Sequence, residues 1–513
     1  MMVRNDKTIS FKNVFLDEFS VKFIFTFLTL INLIPFAGNY IGPLMKFCLA
    51  WGTIVLLYQA KINWKNLFSS KRIFLLIAYL VLYGVSILIN HSVMFSKNLS
   101  EWCYMALFFL LFTQCDPRKD ERAIIHEIQI LLHLLIGVSF LFAVISFYTF
   151  ANQISYAFQN SDVRGDIIYF GMAKDRLWGL SNPNVGGMLG CFSIAASLWI
   201  LLTKSNQSRK HPKGWNAFFI MNIILQYACL TLMQSRASLI TFSIFLGLFM
   251  GFWYFAKNSS SAHKSHSLKL KAAVICVAFL LLPIVLEKPV RSTLYFIPKT
   301  VNSVRVASQE AQKKTESVEV SSQAPASSAP SQSDGNTKAA KNLQTERNDT
   351  TLESRGGILN GRLDLWQAGL KVFLQHPFFG VTREGIYQCS VPYITLKWLE
   401  SSLHGAGLHN GYLMVLVSSG IFGFVILGIY VISVLMTLFK KIRRSDGFIK
   451  LLLSFFLILM IAILVHEMVE SHIMYRVTYF VVFFWSMVGY ALTIASHVKE
   501  EENSDSSENK LSK

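Results

Sequence analysis

LHNGYLMVLVSSGIFGFVILGIYVISVLMTLFKKIRR, residues 408–444, decides the fold class. From Leu408 to Phe439 it holds no Asp, Glu, Lys or Arg, and it then ends in Lys440, Lys441, Arg443 and Arg444. A hydrocarbon core is crossed by about 20 mostly apolar residues in a helix, so this stretch reads as a transmembrane span stopped by a basic cluster. Blocks of the same kind recur at 22–38, 41–59, 73–90, 101–114, 129–150, 183–203, 215–233, 237–256, 271–286, 449–466 and 475–497. The fourth block is short and the one at 408–439 long, which tilt or a break in the helix would accommodate. With 53% hydrophobic and 14% aromatic residues, the chain has more apolar surface than one soluble core could bury. The expected fold is all-α, a polytopic integral membrane bundle of about twelve helices.

The net charge of +18 could point to nucleic acid, but its placement argues otherwise. Lys61, Lys65, Lys71 and Arg72 follow the second span; Lys204, Arg209, Lys210 and Lys213 the sixth; Lys257, Lys264 and Lys269 the eighth; and the Lys440–Arg444 cluster the tenth. Twelve spans counted from a cytoplasmic N-terminus put all four clusters on one side, as the positive-inside rule requires. Both termini are therefore expected in the cytoplasm, and no nucleic-acid partner is. About twenty polar and charged residues precede the first span, and no small-residue cleavage pattern follows it, which argues against a removable signal peptide. The seven cysteines are scattered, mostly within spans, and form neither a disulfide framework nor a CxxC metal pair.

This topology divides the chain into an N-terminal tail (1–21), an N-terminal helical region (22–286), a large extracytoplasmic segment (287–407), a C-terminal helical region (408–497) and a cytoplasmic tail (498–513). Within the large segment, residues 302–356 are rich in Ser, Ala, Gln, Lys and Glu with almost no large apolar side chains, so disorder is expected there. The stretch NGRLDLWQAGLKVFLQHPFFG, 360–380, is different. Leu363, Trp366, Leu370, Phe373 and Leu374 recur at helical spacing and mark one face of an amphipathic helix, on the membrane surface or the bundle mouth. Asn360 is placed to cap it, and His376-Pro377 to end it.

Ionised side chains near the outer ends of spans are the candidates for chemistry. Arg236, beside Ser235, is read either as an arginine snorkelling to headgroups or as a contact for an anion, whose oxygens its fork of donors suits. Arg176 lies in KDRLWGLSNPNVGG with Asn182 and Asn184, residues that also suit a turn and a helix cap; Arg164 and Lys174 add positive potential to this loop. Arg362 opens a helix at its partly positive end, an unfavourable place for a cation unless the two together attract a diphosphate. His376 can act or simply end its helix. His409, with Asn410 beside it, can accept a proton near neutral pH and is the general-base candidate. HEMVESH, 466–472, resembles the HExxH zinc motif but has Glu470 in the second histidine's place, so it reads as a polar turn, with Glu467 or Glu470 facing the cavity, and no metal site is assigned. The sequence has no GxxxxGK[ST] loop, GxSxG elbow or Asp-x-Asp pair, and the short cytoplasmic loops leave no room for a nucleotide-binding domain.

SNPN at 181–184, SRASL at 235–239, GRLDLWQAGLKVFLQHPFFGV from Gly361 and LHNGYLMVLVSSGIFG from Leu408, in that order on a multi-span chain, resemble the O-antigen ligase and oligosaccharide repeat-unit polymerase superfamily of bacterial envelope enzymes. The resemblance covers about residues 20–497, apart from the insert near 302–356. It implies a metal-independent, cofactor-free inverting glycosyltransferase of the bacterial cytoplasmic membrane, acting on its outer face. The donor would be an undecaprenyl-diphosphate-linked oligosaccharide and the acceptor a glycan, with a flippase and a chain-length regulator as protein partners. It implies that Arg176, Arg236 and Arg362 bind the diphosphate and that His409 assists the acceptor hydroxyl; Asn182, Asn184, Ser235, Trp366, His376 and Asn410 complete the expected substrate site. Within this class a repeat-unit polymerase for capsule, exopolysaccharide or O-antigen is the first expectation. A ligase joining polysaccharide to a lipid A core is the alternative within the class, and a non-enzymatic flippase the alternative outside it.

Overall fold

The computed structural model describes residues 14–34, 37–67, 70–159, 167–173, 175–203, 214–258, 266–303, 361–396 and 399–498. The expected disorder of 302–356 and the tail from 499 fall almost wholly outside these residues, as does Asn360. The helices are α1 (Glu18–Ile31), α2 (Gly38–Leu67), α3 (Lys71–Ile89), α4 (Phe95–Leu107, extended by a π turn over Phe108–Phe112), α5 (Glu121–Ala151), α6 (Pro183–Thr203), α7 (Trp215–Met233), α8 (Arg236–Asn258) and α9 (His266–Leu294). After the insert come α10 (Arg362–Gln375), α11 (Gly385–Ser390), α12 (Leu399–Ala406), α13 (Gly411–Arg444), α14 (Gly447–His466) and α15 (Tyr479–His497).

Among the described residues, ten helices are long and apolar enough to cross a membrane. The chain is an all-α, multi-pass membrane protein. The remaining two expected spans, 22–38 and 101–114, coincide with shorter helices: α1 has 14 residues and α4 13 before its π turn. α6, α14 and α15 are enclosed by the bundle, whereas α9 lies at its edge, against α8 and α7.

Two local departures from helix position the site. Between α5 and α6 the chain forms a three-stranded antiparallel sheet, β1 (Ser155–Gln159), β2 (Ile167–Ala173) and β3 (Arg176–Gly179). β3 ends at Gly179, φ +55°, where an added Cβ would lie 2.2 Å from Ser146 Oγ of α5. That contact docks the strand on the bundle and aims Ser181–Asn184 at the start of α6. The second departure breaks α13 at Gly420 (φ 67°, ψ −172°). The turn after α10 packs into the break: Val381 N–H donates to Val417 O (3.0 Å), Thr382 N–H to Ser418 O (3.0 Å) and Ile421 N–H to Pro377 O (2.8 Å). Only glycine fits there, since a Cβ would meet Phe378 O at 2.1 Å.

α10 packs on the bundle through its small residues and not through its large apolar stripe. Leu365, Ala368, Gly369 and Val372 are buried, while Leu363, Leu370 and Leu374 are exposed and Trp366 and Phe373 half-buried. The small residues win the interface because they permit close approach: a Cβ on Gly369 would lie 2.8 Å from Leu408 Cδ1. The large apolar stripe is left facing outward, as suits a helix lying at a bilayer surface. Its first residue follows Gly361, which occupies the cap position with φ 74°.

Candidate active site

The polar turn between α14 and α15 carries the centre of the site. Glu470 is 2% exposed and gathers three partners from distant parts of the chain. Arg362 Nη2 donates to Oε1 at 2.6 Å, Asn184 Nδ2 to the same oxygen at 2.7 Å, and His409 Nδ1 lies 2.8 Å from Oε2. Burial alone would raise this carboxyl; the hydrogen bond and charge of His409, with the charges of His472 and Arg362, outweigh it and hold the group at about 2. It is a carboxylate throughout the physiological range, and His409 Nδ1 is therefore the proton-bearing nitrogen in this pairing. His409 Nε2 then points at Ser402 Oγ of α12, 3.0 Å away. A carboxylate, an imidazole and a hydroxyl in line form the base-and-orienter arrangement that acyl- and glycosyl-transfer chemistry can use.

The local sequence explains how His409 is held. It takes a left-handed backbone, φ +50°, uncommon for a residue with a Cβ. Asn410 follows as the cap of α13, its Oδ1 accepting from Leu413 N–H (2.9 Å) and its Nδ2 donating to Met468 O (3.0 Å). Gly411 N–H donates to both Glu467 O (2.7 Å) and Glu470 O (2.8 Å), and its α-carbon abuts the Glu467 side chain. Trp366 Nε1 donates to Leu408 O at 3.0 Å and so ties α10 to the same turn. Glu467 is itself 2% exposed; its carboxylate oxygens accept from His472 N–H (2.9 and 3.1 Å). Burial pushes its carboxyl up to about 8, against those backbone donors.

Of the residues expected from sequence, Asn184, Arg362 and His409 meet on Glu470. Ser235 joins through Asn184, its Oγ donating to Asn184 Oδ1 at 3.1 Å. Asn182 is exposed and accepts from Asn184 N–H (2.9 Å), capping α6. Arg236 is exposed at the first turn of α8. Arg176 turns toward the end of α7, where its Nε donates to Met233 O at 2.9 Å and Nη2 to Gln234 O at 3.4 Å. His376 is exposed and terminates α10 through backbone bonds to Val372 and Phe373.

Glu470 is the residue that sequence reasoning underweighted. Its signal lay in HEMVESH, where comparison with a zinc motif directed attention to a missing histidine rather than to the glutamate standing there. Ser402 and a flanking charged group carried no signal at all: Arg383 pairs with Glu384 (2.5 Å), Lys97 with Glu384 (2.9 Å), and Arg476 Nη2 donates to Gly405 O. Among the described residues, the one trio of His, Cys, Asp or Glu with ligand atoms within 4.8 Å of one another is Asp17, Glu18 and Glu127. The Lys119 ammonium already lies among them, at 2.6, 2.9 and 2.5 Å.

None of the curated proteins matches the chain. The family model described as O-antigen ligase matches residues 221–428, a segment that holds Arg236, Arg362, Trp366, His376, His409 and Asn410 and whose flanks supply Asn184 and Glu470. The bundle, the ordered motifs and this match agree, and together they support membership of the O-antigen ligase superfamily.

Proposed function

We propose that this protein transfers an oligosaccharide from a lipid diphosphate, of the undecaprenyl type, to a hydroxyl of an acceptor glycan, at the end of the bundle opposite the basic clusters. The observation that carries the reading is His409 fixed between Glu470 (2.8 Å) and a hydroxyl (3.0 Å), with the Arg362 guanidinium on the same carboxylate. In the reaction the acceptor hydroxyl takes the position of Ser402 Oγ and gives its proton to His409 Nε2. The acceptor oxygen bonds the anomeric carbon as the bond from that carbon to the diphosphate oxygen breaks, and the electron pair leaves with the lipid diphosphate. A single displacement of this kind inverts the anomeric centre.

Glu470 orients the ring and balances the imidazolium that forms, a contribution typically of about 10²- to 10⁴-fold for general-base catalysis. Arg362 spends one donor on Glu470, and a guanidinium carries five, so it can hold the carboxylate and meet a phosphate oxygen together. Charge growing on the departing diphosphate is stabilised by such fixed donors. Arg236, exposed at the helix start that follows Ser235, is the second diphosphate contact in this reading. Within the class we favour a repeat-unit polymerase over a ligase. The supporting consideration is that the same lipid-linked glycan can serve as donor and acceptor, so no second lipid has to be recognised.

The test is incubation of purified protein in liposomes with an undecaprenyl-diphosphate-linked oligosaccharide, comparing wild type with Arg362→Ala and His409→Ala. A ladder of longer lipid-linked products that both substitutions abolish is the expected result. Product formed only when a lipid A core is supplied would make the activity a ligase. Absence of any new glycosidic bond with either acceptor would overturn the enzymatic reading in favour of transport.

A further inference from the structure

Among the described residues Ser402 makes one hydrogen bond, and it goes to the base. Its Oγ lies 3.0 Å from His409 Nε2. Because Nδ1 carries the ring proton toward Glu470, the serine hydroxyl is the donor and Nε2 the acceptor. A side chain of the protein therefore stands where the acceptor hydroxyl has to be. The His409 side chain is 16% exposed, so water reaches the ring as well. A base that can take a proton from a sugar hydroxyl can take one from water, and an activated lipid-linked glycan would then be hydrolysed.

The seat of Ser402 is firm while its hydroxyl can turn. Leu399 and Leu403 anchor α12, both 1% exposed, and Gly407 N–H donates to Leu403 O (2.9 Å). The His404 ring meets Tyr387 of α11 edge-on, with centroids 4.8 Å apart. Arg476, on the same turn as Glu470, donates from Nη2 to Gly405 O. Gly407, φ 74°, bends the chain back so that His409 faces the helix it has just left; a Cβ there would meet Met414 Sδ at 2.7 Å. Ser402 is half-buried. Rotation about its Cα–Cβ bond to another staggered position gives up the bond to His409 and requires no backbone shift.

We propose that Ser402 is a gate on the base: it occupies the acceptor position until a glycan displaces it, and so keeps water from the activated donor. The inference rests on the glycosyl-transfer reading above. An acceptor glycan brings contacts along its other sugar units that offset the lost hydrogen bond, whereas a water molecule brings none. With the gate removed and no glycan in place, water gives a proton to His409 Nε2 and its oxygen bonds the anomeric carbon. The bond from that carbon to the diphosphate oxygen breaks, the electron pair leaves with the lipid diphosphate, and a free reducing oligosaccharide is released.

The experiment uses full-length protein in liposomes and an undecaprenyl-diphosphate-linked oligosaccharide whose terminal non-reducing sugar is O-methylated, so that it gives its glycan but cannot extend. Ser402→Ala should release free oligosaccharide about three- to tenfold faster than wild type, the factor that one ordinary hydrogen bond supplies, and Ser402→Thr, which keeps the hydroxyl, should stay within about twofold. In isotopically labelled water the label should appear on the anomeric carbon of the released glycan. With unmodified lipid-linked oligosaccharide added as acceptor, its apparent KM should fall in Ser402→Ala, since it no longer has to displace the serine. Alanine is a good helix former, and a melting curve for each variant checks the fold. Three results would overturn the gate while wild type still extends the unmodified donor: release by Ser402→Ala no faster than by wild type, a raised acceptor KM, or loss of both release and transfer as in His409→Ala, which would place Ser402 among the reacting groups. A wild-type protein that neither extends nor releases would overturn the glycosyl-transfer reading itself, and the gate with it.

Discussion

Replacing Glu470 with Gln keeps the shape of the central side chain and removes its charge. In the native protein Oε1 accepts from Arg362 and Asn184 while Oε2 faces His409 Nδ1. A glutamine can satisfy Arg362 and Asn184 only with its oxygen, since its NH₂ would set donor against donor. The NH₂ must then face His409, whose Nδ1 has to accept, and the ring proton moves to Nε2. That is the atom the acceptor hydroxyl needs bare. Losing the general base costs about 10²- to 10⁴-fold, and weakening the charge-assisted bond to Arg362 a further 1.5–3 kcal/mol, or about tenfold to a hundredfold if felt in the transition state. Transfer is expected to fall at least about 10²-fold. Glu470→Asp, shorter but charged, should retain more activity than the isosteric glutamine, a ranking that a purely space-filling role would reverse. Initial rates of lipid-linked product formation in liposomes, with a melting curve for each variant, decide the matter. Activity of Glu470→Gln within about threefold of wild type, or of Glu470→Asp below it, would refute the dyad.

Gly411→Ala should disable the protein although it adds one methyl group, because the new Cβ would lie 2.2 Å from Glu467 Oε2; a loss of about 1–3 kcal/mol of stability together with most activity is expected from melting and transfer assays. Glu467 retains its proton in the folded state up to about pH 8, while an unfolded chain releases it near 4.5, so its contribution to stability declines as pH rises between those values. Glu467→Gln should flatten the melting temperature over that window. The opposite sign applies to Glu470, held at about 2: its contribution is present above pH 4.5 and is lost as the pH falls toward 2, and acid unfolding of Glu470→Gln should lack that component. Arg176→Ala should lower stability by about 1 kcal/mol, through loss of a cation at the C-terminus of α7, and leave more activity than Arg362→Ala; an equal loss of transfer in both would make Arg176 a substrate contact.

The spans and the amphipathic helix could be read from composition and periodicity, because apolar length and charge placement act locally along the chain, and Arg362 and His409 could each be singled out by their places at helix starts, their roles at one site being implied by the motif resemblance. The pieces that could not be read depend on contacts between distant segments. Asn184 and Glu470 meet across 286 positions, and nothing in SNPN announces a carboxylate partner. α10 shows the same limit: periodicity marks the apolar stripe of Leu363, Leu370 and Leu374, but the face that packs on the bundle is decided by the close approach that Ala368 and Gly369 allow. The small sheet before α6 is likewise invisible in a chain whose apolar runs all suggest helix.

The break at Gly420 bears on how the protein is made. Backbone carbonyls left bare within a hydrocarbon layer are costly, and those of Val417 and Ser418 are met by the N–H groups of Val381 and Thr382. A nascent α13 therefore cannot settle as an independent membrane helix. Its stability is conditional on the turn after α10, which leaves the ribosome earlier and is available as a template when the span arrives. Biogenesis of the active centre is in this sense ordered by the chain itself: the strand of backbone that completes α13 is also the one that carries Arg362 toward His409, so the span matures and the site assembles in a single docking event.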